Sequence, residues 1–552
     1  MKKIFKLGWC CLATLMFSGV SLAQSASFQT GKSIDLFYNV LRELSTHYVD
    51  TVQLGSLVEY GIVSMLDRLD PYNEFFPEEE NESIELLITG TYGGVGSVIN
   101  YKSKLGGTVF TEPYEGSPAA KAGIVAGDHI VEIDGVPTAT LSLDECSARM
   151  KGKPGTDVRL KIKKVKTGEI IDLVLRRERI HYPDIAYHGI LDEGVGYIRI
   201  ASFTLGGAQD LRKAFLELQS TGLMSKLVLD LRGNGGGSLD EAVEMLSLFL
   251  PRTTEVVSQK GRSAHQNIVY KTKDEPLDLD IPIVVLVNRG SASSAEILAG
   301  AIQDLDRGVI VGTRTFGKGL VQAIRPLDYN ATLKVTVAKY YIPSGRCVQA
   351  IDYSQRNEDG SVGAIPDSLI KEFKTKNGRS VYDGGGITPD ERVDAGAYSR
   401  ITYELMSRDL FWDYAVQYLK SHDEIEVPEQ FVISDSEYDD FVTFMESMEF
   451  DSRSATEVVL EQLLATAKRE GYDAEVIKQL DELKTITTGD KAKDLYRHKI
   501  EIKQLLEEEI CNFYYYQKGR IRSILRNDSQ LNMAIEILSD AHKYATLLTP
   551  DK

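Results

Sequence analysis

Cysteine is scarce, with five in 552 residues, and two of them, Cys10 and Cys11, lie inside the first apolar stretch. The remaining three, Cys146, Cys347 and Cys511, are an odd and widely spaced set. They form neither a disulfide framework nor a metal-ligand spacing, so packing has to supply the stability. Histidine is sparse as well: eight copies are scattered along the chain. His181, His188 and His265 are the nearest candidates for a Ser-His-Asp triad, and each reads as a surface or strand-edge residue. A GxSxG turn is missing. Positive charge is in deficit, 63 Lys and Arg against 81 Asp and Glu, and the net charge of −18 argues against sequence-independent nucleic-acid binding. After the N-terminus no apolar run is long enough to span a membrane. One apparent nucleotide motif is incomplete. Residues 312–318 match GxxxxGK, but Gly319 stands where a P-loop needs Ser or Thr for magnesium, and a strand pattern follows instead of a helix.

The N-terminus carries a basic region (Lys2, Lys3, Lys6), an apolar run from Leu7 to Val20, and the cleavage-like Ser21-Leu22-Ala23. This is a secretory signal pattern, with a mature start near Gln24 and a periplasmic or otherwise exported location. A chain of this length needs more than one core, and two to four domains are expected. Residues 24–86 show helical spacing, with Leu36, Val40, Leu41 and Leu44 recurring on one face. From about residue 91 the pattern changes to short strands separated by glycine turns. After about 396 the strand pattern stops, and amphipathic helical segments follow at 456–470, 474–483, 492–515 and 530–548. These terminal helices either pair between subunits, making a homo-oligomer, or pack on their own domains. Tyr514, Tyr515 and Tyr516 read as packing residues, and the stretch 354–380 as a polar surface excursion.

The run GSPAAKAGIVAGDHIVEIDG resembles a PDZ domain, covering residues 87–178. The resemblance implies a peptide-binding module that captures a free C-terminus by strand addition. The turn Gly93-Gly94-Val95-Gly96 is the candidate loop for the terminal carboxylate; its alternative is a turn that merely starts the domain.

The central stretch runs from Ile281 to Leu327. An apolar β-branched strand, 283–287, leads through small residues into a helix over 294–305, then a strand at 309–311, a glycine-bounded loop with Lys318, and a strand at 320–324. This is a βαβ-like unit in a buried, largely parallel sheet, and such sheets hold ligands at the carboxyl ends of their strands. Locally each candidate has an ordinary explanation. Ser293 with Glu296 three residues on is a capping box. The loop Arg232-Gly233-Asn234-Gly235-Gly236-Gly237, between a strand and a helix, either presents N–H groups to an anion or is only a tight turn. A serine and a lysine can act together if the amine is neutral, which an apolar environment favours. Phe316, Leu320 and Val321 are the expected lining, and Gln322 is placed to hold the amine.

GSASSAEILAGAIQD followed by TFGKGLVQ resembles the signature of the carboxyl-terminal processing peptidases, the Ser-Lys tail-specific proteases of peptidase family S41. LRGNGGG, YYIPSGRCVQ and GGGITPD resemble that family too, in its order and with its PDZ domain upstream. The family usually reads SASASE; here Ser294 and Ala295 are exchanged, while the spacing from Ser293 to Glu296 is kept. The resemblance implies an α/β multi-domain protein. Its organisation would be a signal peptide (1–23), an N-terminal helical segment (24–86), a PDZ domain (87–178), a ClpP/crotonase-like protease core (179–395) and a helical C-terminal domain (396–552). It further implies a serine endopeptidase with Ser293 as nucleophile, Lys318 as general base and Gln322 orienting it. Ser294 with Gly236 or Gly237 would form the oxyanion hole. Substrates would be proteins or peptides with free C-termini, and neither metal, nucleotide nor other cofactor is called for. The other reading is an inactive PDZ-based peptide-binding scaffold.

Overall fold

A computed structural model describes residues 28–550 apart from 395, 452 and 488–490. The signal-sequence reading of 1–23 and the start near Gln24 therefore lie outside the described residues. The chain divides into two units, residues up to 77 with 324–336, and the remainder. The smaller unit holds a helix over 28–47, the helix Leu54–Leu66 and the strand Glu74–Phe76, which runs antiparallel to 332–334. Its helices bury little: Phe28, Ile34, Leu36, Phe37, Tyr38 and Val40 are all exposed.

In the larger unit the PDZ domain is a five-strand path, Ser97–Lys102, Gly107–Pro113, His129–Ile133, Asp157–Lys163 and Ile170–Arg176, with Val136–Pro137 paired off its middle. Alternation along these strands sends Phe110, Ile130, Ile133, Val158, Leu160 and Ile162 inward, where they meet Cys146 and Met150 of the helix Leu143–Met150. Ser97–Lys102 lies at the sheet's edge.

The central stretch lies in a six-stranded sheet in the order Ile185–Ile190, Val195–Ile200, Lys226–Asp230, Ile283–Val287, Val309–Gly312, Glu391–Arg392. The first pair is antiparallel and the rest parallel. The period of two explains why its strands are apolar throughout. Ile283, Val285 and Val287 join one core with the helices Gly207–Ser220, Leu239–Ser247 and Ser294–Asp304. Val284 and Leu286 join another, covered by Leu531, Ala534, Ile537 and Leu538 of the C-terminal helix Ser529–Ser539. Each such fully buried side chain contributes roughly 1.5–3 kcal/mol.

The helical region packs Leu410–Ser421, Asp435–Glu446 and Lys499–Leu525 around Trp412, Phe441 and Phe513, together with Val109 and Ala126 of the PDZ domain. The stretch expected as one helix over 492–515 is two, Lys491–Arg497 and Lys499–Leu525, and that over 530–548 is Ser529–Ser539 and Ala541–Leu547, the last capped by Asp540. The hydroxyls of Tyr514 and Tyr515 donate to the carbonyls of His422 and Ile425, at 2.6 and 2.9 Å. The polar stretch 354–380 is built of short strands: Ile351–Arg356 pairs with Val362–Ala364, and Glu372–Lys374 with Ser380–Tyr382. Among the described residues no helix is long and apolar enough to cross a membrane.

Candidate active site

Ser293 follows the strand Ile283–Val287 and precedes the helix Ser294–Asp304, with φ 54° and ψ −116°. A side chain at positive φ in this region is strained by about 1–3 kcal/mol and persists only where neighbours hold it. They do: Ala292 N–H donates to the Asn234 carbonyl at 2.9 Å, Phe316 N–H to the Ser291 carbonyl at 3.0 Å, and Ser291 Oγ to the Leu231 carbonyl at 2.8 Å. The GxSxG consensus is absent, yet the turn is sharp in the way that presents a nucleophile above a sheet edge.

The expected capping box has become something more specific. Glu296 N–H donates to the main-chain carbonyl of Ser293 at 2.8 Å. The Glu296 carboxylate accepts four bonds. Oε1 takes Thr315 Oγ1 at 2.6 Å and Gly317 N–H at 2.8 Å; Oε2 takes Ser293 N–H at 3.0 Å and Lys318 N–H at 2.8 Å. One carboxylate oxygen thus holds the backbone nitrogens of Ser293 and Lys318 within two hydrogen-bond lengths of each other. Glu296 is fully buried, and burial pushes its carboxyl up to about 7 against the pull of those bonds. On the other side Tyr340, 1% exposed, points its hydroxyl at the carbonyls of Ser293 (3.1 Å) and Lys318 (2.5 Å). Ser293 and Lys318 are therefore tied together twice, through their N–H groups and through their carbonyls. Neither Glu296 in this role nor Tyr340 follows from the sequence reasoning. The signals were present, in the glutamate of the capping box and the second motif's YYIP.

The remaining motifs converge on the same place. Thr315 N–H donates to Ile387 O at 3.1 Å and Ile387 N–H to Thr315 Oγ1 at 2.6 Å, which brings GGGITPD against the lysine loop. Gly319 N–H donates to Gln349 Oε1 at 2.7 Å, and a Cβ on Gly319 would lie 2.8 Å from Gln349 N. The glycine-rich loop arrives from Lys226–Asp230. Gly236, at φ 99°, leaves no room for a side chain, because a Cβ would stand 2.7 Å from both Ser293 Cβ and Ala292 O and 3.0 Å from Ser294 N. Its own N–H is occupied by Asn234 Oδ1 at 2.8 Å. Ser294 Oγ donates to the Gly237 carbonyl at 2.9 Å, locking loop and helix together.

Lys318 and Gln322 are half-buried, with Gln322 in the strand Leu320–Pro326. Of the expected apolar lining, Leu320 is buried and Val321 packs on the core, whereas Phe316 is 50% exposed and turns to solvent. His181 and His188 face Asp210 and Glu217 at 3.5 and 2.9 Å, and His265 lies in a surface turn. In the PDZ domain Gly93 and Gly94 are part of the strand Thr91–Gly94, paired with Glu178–His181, so the expected carboxylate loop begins only at Val95 and Gly96. Among the described residues one group has metal-ligand proximity, His181, Asp184 and Asp210, but both Asp184 oxygens already accept from Thr204.

Comparison with known proteins agrees with this architecture. The model of peptidase family S41 matches residues 194–355, that of a PDZ domain 109–164, and that of a probable PDZ-protease C-terminal helical domain 401–538. A carboxy-terminal-processing protease of Bartonella bacilliformis is 35% identical over 363 residues, 65% of this chain and 80% of that protein. A carboxyl-terminal-processing protease of Synechocystis is 36% identical over 318 residues, 56% of this chain and 70% of its own length. The carboxy-terminal processing protease CtpA of Bacillus subtilis is 31% identical over 338 residues, with 61% and 71% covered. With its sheet, its strained serine and its PDZ domain, the chain belongs to the carboxyl-terminal processing proteases, serine peptidases of family S41.

Proposed function

We propose that this is an exported endopeptidase with a Ser293–Lys318 dyad that cuts proteins near their C-termini after the PDZ domain has captured the tail. The observation that carries the reading is the double tie between Ser293 and Lys318 through Glu296 Oε2 and Tyr340 Oη. Lys318 takes the Ser293 hydroxyl proton as Oγ attacks the scissile carbonyl, so the lysine works from its neutral form, with Gln322 orienting the amine. The oxyanion meets N–H groups of Ser294 and Gly237, aided by the positive end of the helix Ser294–Asp304. Gly236, with its N–H committed to Asn234, supplies close approach instead. The lysine ammonium then protonates the leaving amine, and water attacks the acyl-enzyme with the lysine again as base.

For the tail, the edge strand Ser97–Lys102 offers an unpaired side for strand addition, and the backbone at Val95 and Gly96 precedes it as the carboxylate loop. The signal pattern directs the chain out of the cytoplasm. The test is degradation of an unfolded protein by wild type, Ser293→Ala and Lys318→Ala. Wild type should cleave and both variants should lose at least about 10³-fold in rate, the scale of removing a nucleophile or its base. Full activity in Ser293→Ala overturns the reading. Tail-peptide binding without turnover by wild type leaves the scaffold in its place.

A further inference from the structure

Beyond the dyad, the glycine-rich loop that approaches Ser293 is anchored by the helical C-terminal domain. Arg232 opens that loop, and four of its guanidinium donors are hydrogen-bonded. Nε donates to Asp230 Oδ1 at 2.9 Å and Nη2 to Asp230 Oδ2 at 2.6 Å. The other donors cross to the C-terminal domain: Nη1 reaches Asp528 Oδ1 at 2.9 Å and Gln530 Oε1 at 3.0 Å, and Nη2 lies 2.6 Å from Asp528 Oδ2. The cluster is dry, with side-chain exposures of 14% for Arg232, 0% for Asp230 and 7% for Asp528. Asp230 is held further by the Tyr197 hydroxyl at 2.6 Å. Gln530 is fixed in turn, its amide donating to Val393 O at 2.7 Å. Asp528 also caps the helix Ser529–Ser539, accepting from Gln530 and Leu531 N–H at 3.0 and 3.1 Å.

We propose that Asp528 and Gln530 are positioning residues of the active site, fixing the glycine-rich loop beside Ser293 through Arg232. The inference rests on the serine-protease reading above and gives the C-terminal domain a part in it. A planar guanidinium with four hydrogen-bonded donors and a carboxylate on each side is held in one orientation, and its main chain is the first residue of the loop. From there the chain is pinned at Gly233 N–H to Asn288 Oδ1 (3.0 Å) and at the Asn234 carbonyl by Ala292 N–H (2.9 Å). Freeing the far side of Arg232 lets this short loop drift, and Gly237 N–H with it. Ground-state binding of the substrate tail is elsewhere and is untouched.

The test uses the full chain. Asp528→Ser keeps a helix cap but is too short to reach Arg232. Asp540→Ser is the control, altering a comparable cap that has no contact with Arg232: Asp540 accepts from His542 and Lys543 N–H. Removing one oxyanion donor lowers kcat by about 10²–10³-fold, so displacing one predicts a fall of about 10–100-fold for Asp528→Ser. KM should stay within about twofold, with Asp540→Ser like wild type. Gln530→Met, which loses one acceptor for Nη1 and the bond to Val393 O, should fall by less, and it carries the test if Asp528→Ser does not fold. Asp528→Glu, which restores the charge and reach, should recover part of kcat. Wild-type kcat in both Asp528→Ser and Gln530→Met, or an equal fall in Asp528→Ser and Asp540→Ser, overturns the inference. If wild type shows no Ser293-dependent cleavage, the protease reading falls first and takes this inference with it.

Discussion

Replacing Glu296 by Gln separates the stability of the site from its alignment. The carboxylate takes two donors on each oxygen, and an amide serves only one of those pairs while turning its NH₂ toward the other. Two buried hydrogen bonds are lost, at about 1–3 kcal/mol each. Against this stands the cost of burying the charge. Burial raises the Glu296 carboxyl from 4.5 to about 7, a difference worth about 3 kcal/mol. Between those values the unfolded chain has released a proton that the folded chain still holds. Folding stability therefore falls as pH rises from 4.5 through 7. Gln carries no such cost, so the deficit of Glu296→Gln in urea unfolding should shrink by roughly 2–3 kcal/mol from pH 5 to pH 8. The folded variant should still be a poor enzyme, because small displacements of reacting groups cost on the order of 10²-fold. Peptide cleavage followed from pH 5 to 9 should show a wild-type rate that rises through about 7, as the carboxylate forms and accepts all four donors. In the variant, kcat should be low throughout and that limb should shift. A Glu296→Gln enzyme with wild-type kcat and an unchanged limb refutes the alignment role.

Gly236→Ala should abolish cleavage and lower stability by about 2 kcal/mol or more: the new methyl meets Ser293 Cβ and Ala292 O at 2.7 Å on a backbone with φ 99°. Thermal melting and peptide turnover report the two effects. Tyr340→Phe removes the hydroxyl that binds both carbonyls of the dyad; a stability loss of about 1 kcal/mol should accompany a clear fall in kcat at unchanged KM. Leu531→Ala, at a site 1% exposed against the sheet, should cost about 2–5 kcal/mol in unfolding experiments and leave tail-peptide binding to the PDZ domain unaltered.

Two parts of the candidate site were readable in the sequence, for different reasons. The strands at 283–287 and 309–312 and the helix between them follow from period and composition alone. Ser293 and Lys318 needed the ensemble of motifs, because each is locally ordinary. Glu296 shows why local reading runs out. Its spacing from Ser293 is that of any capping box, and only tertiary folding places Thr315, Gly317 and Lys318 on the same carboxylate. Gly93 and Gly94 fail in the opposite sense: a glycine cluster suggests a loop, but strand pairing with Glu178–His181 claims half of it.

The C-terminal domain was readable only as a set of amphipathic helices, yet the core sheet already implied more. A strand such as Ile283–Val287, apolar at every position, is stable only with both faces covered. The helices Gly207–Ser220, Leu239–Ser247 and Ser294–Asp304 all pack in one core with Ile283, Val285 and Val287, which leaves Val284 and Leu286 in need of a cover. The strands of the PDZ domain are occupied with their own core, and the cover comes from the other end of the chain. The helix Ser529–Ser539 supplies it, and once there, its N-terminal cap stands against Arg232. A fold requirement, burying the second face of a parallel sheet, thereby brings a carboxylate to the root of the glycine-rich loop. This makes the C-terminal helices part of the core's architecture, and their removal should expose the sheet as well as slow the chemistry.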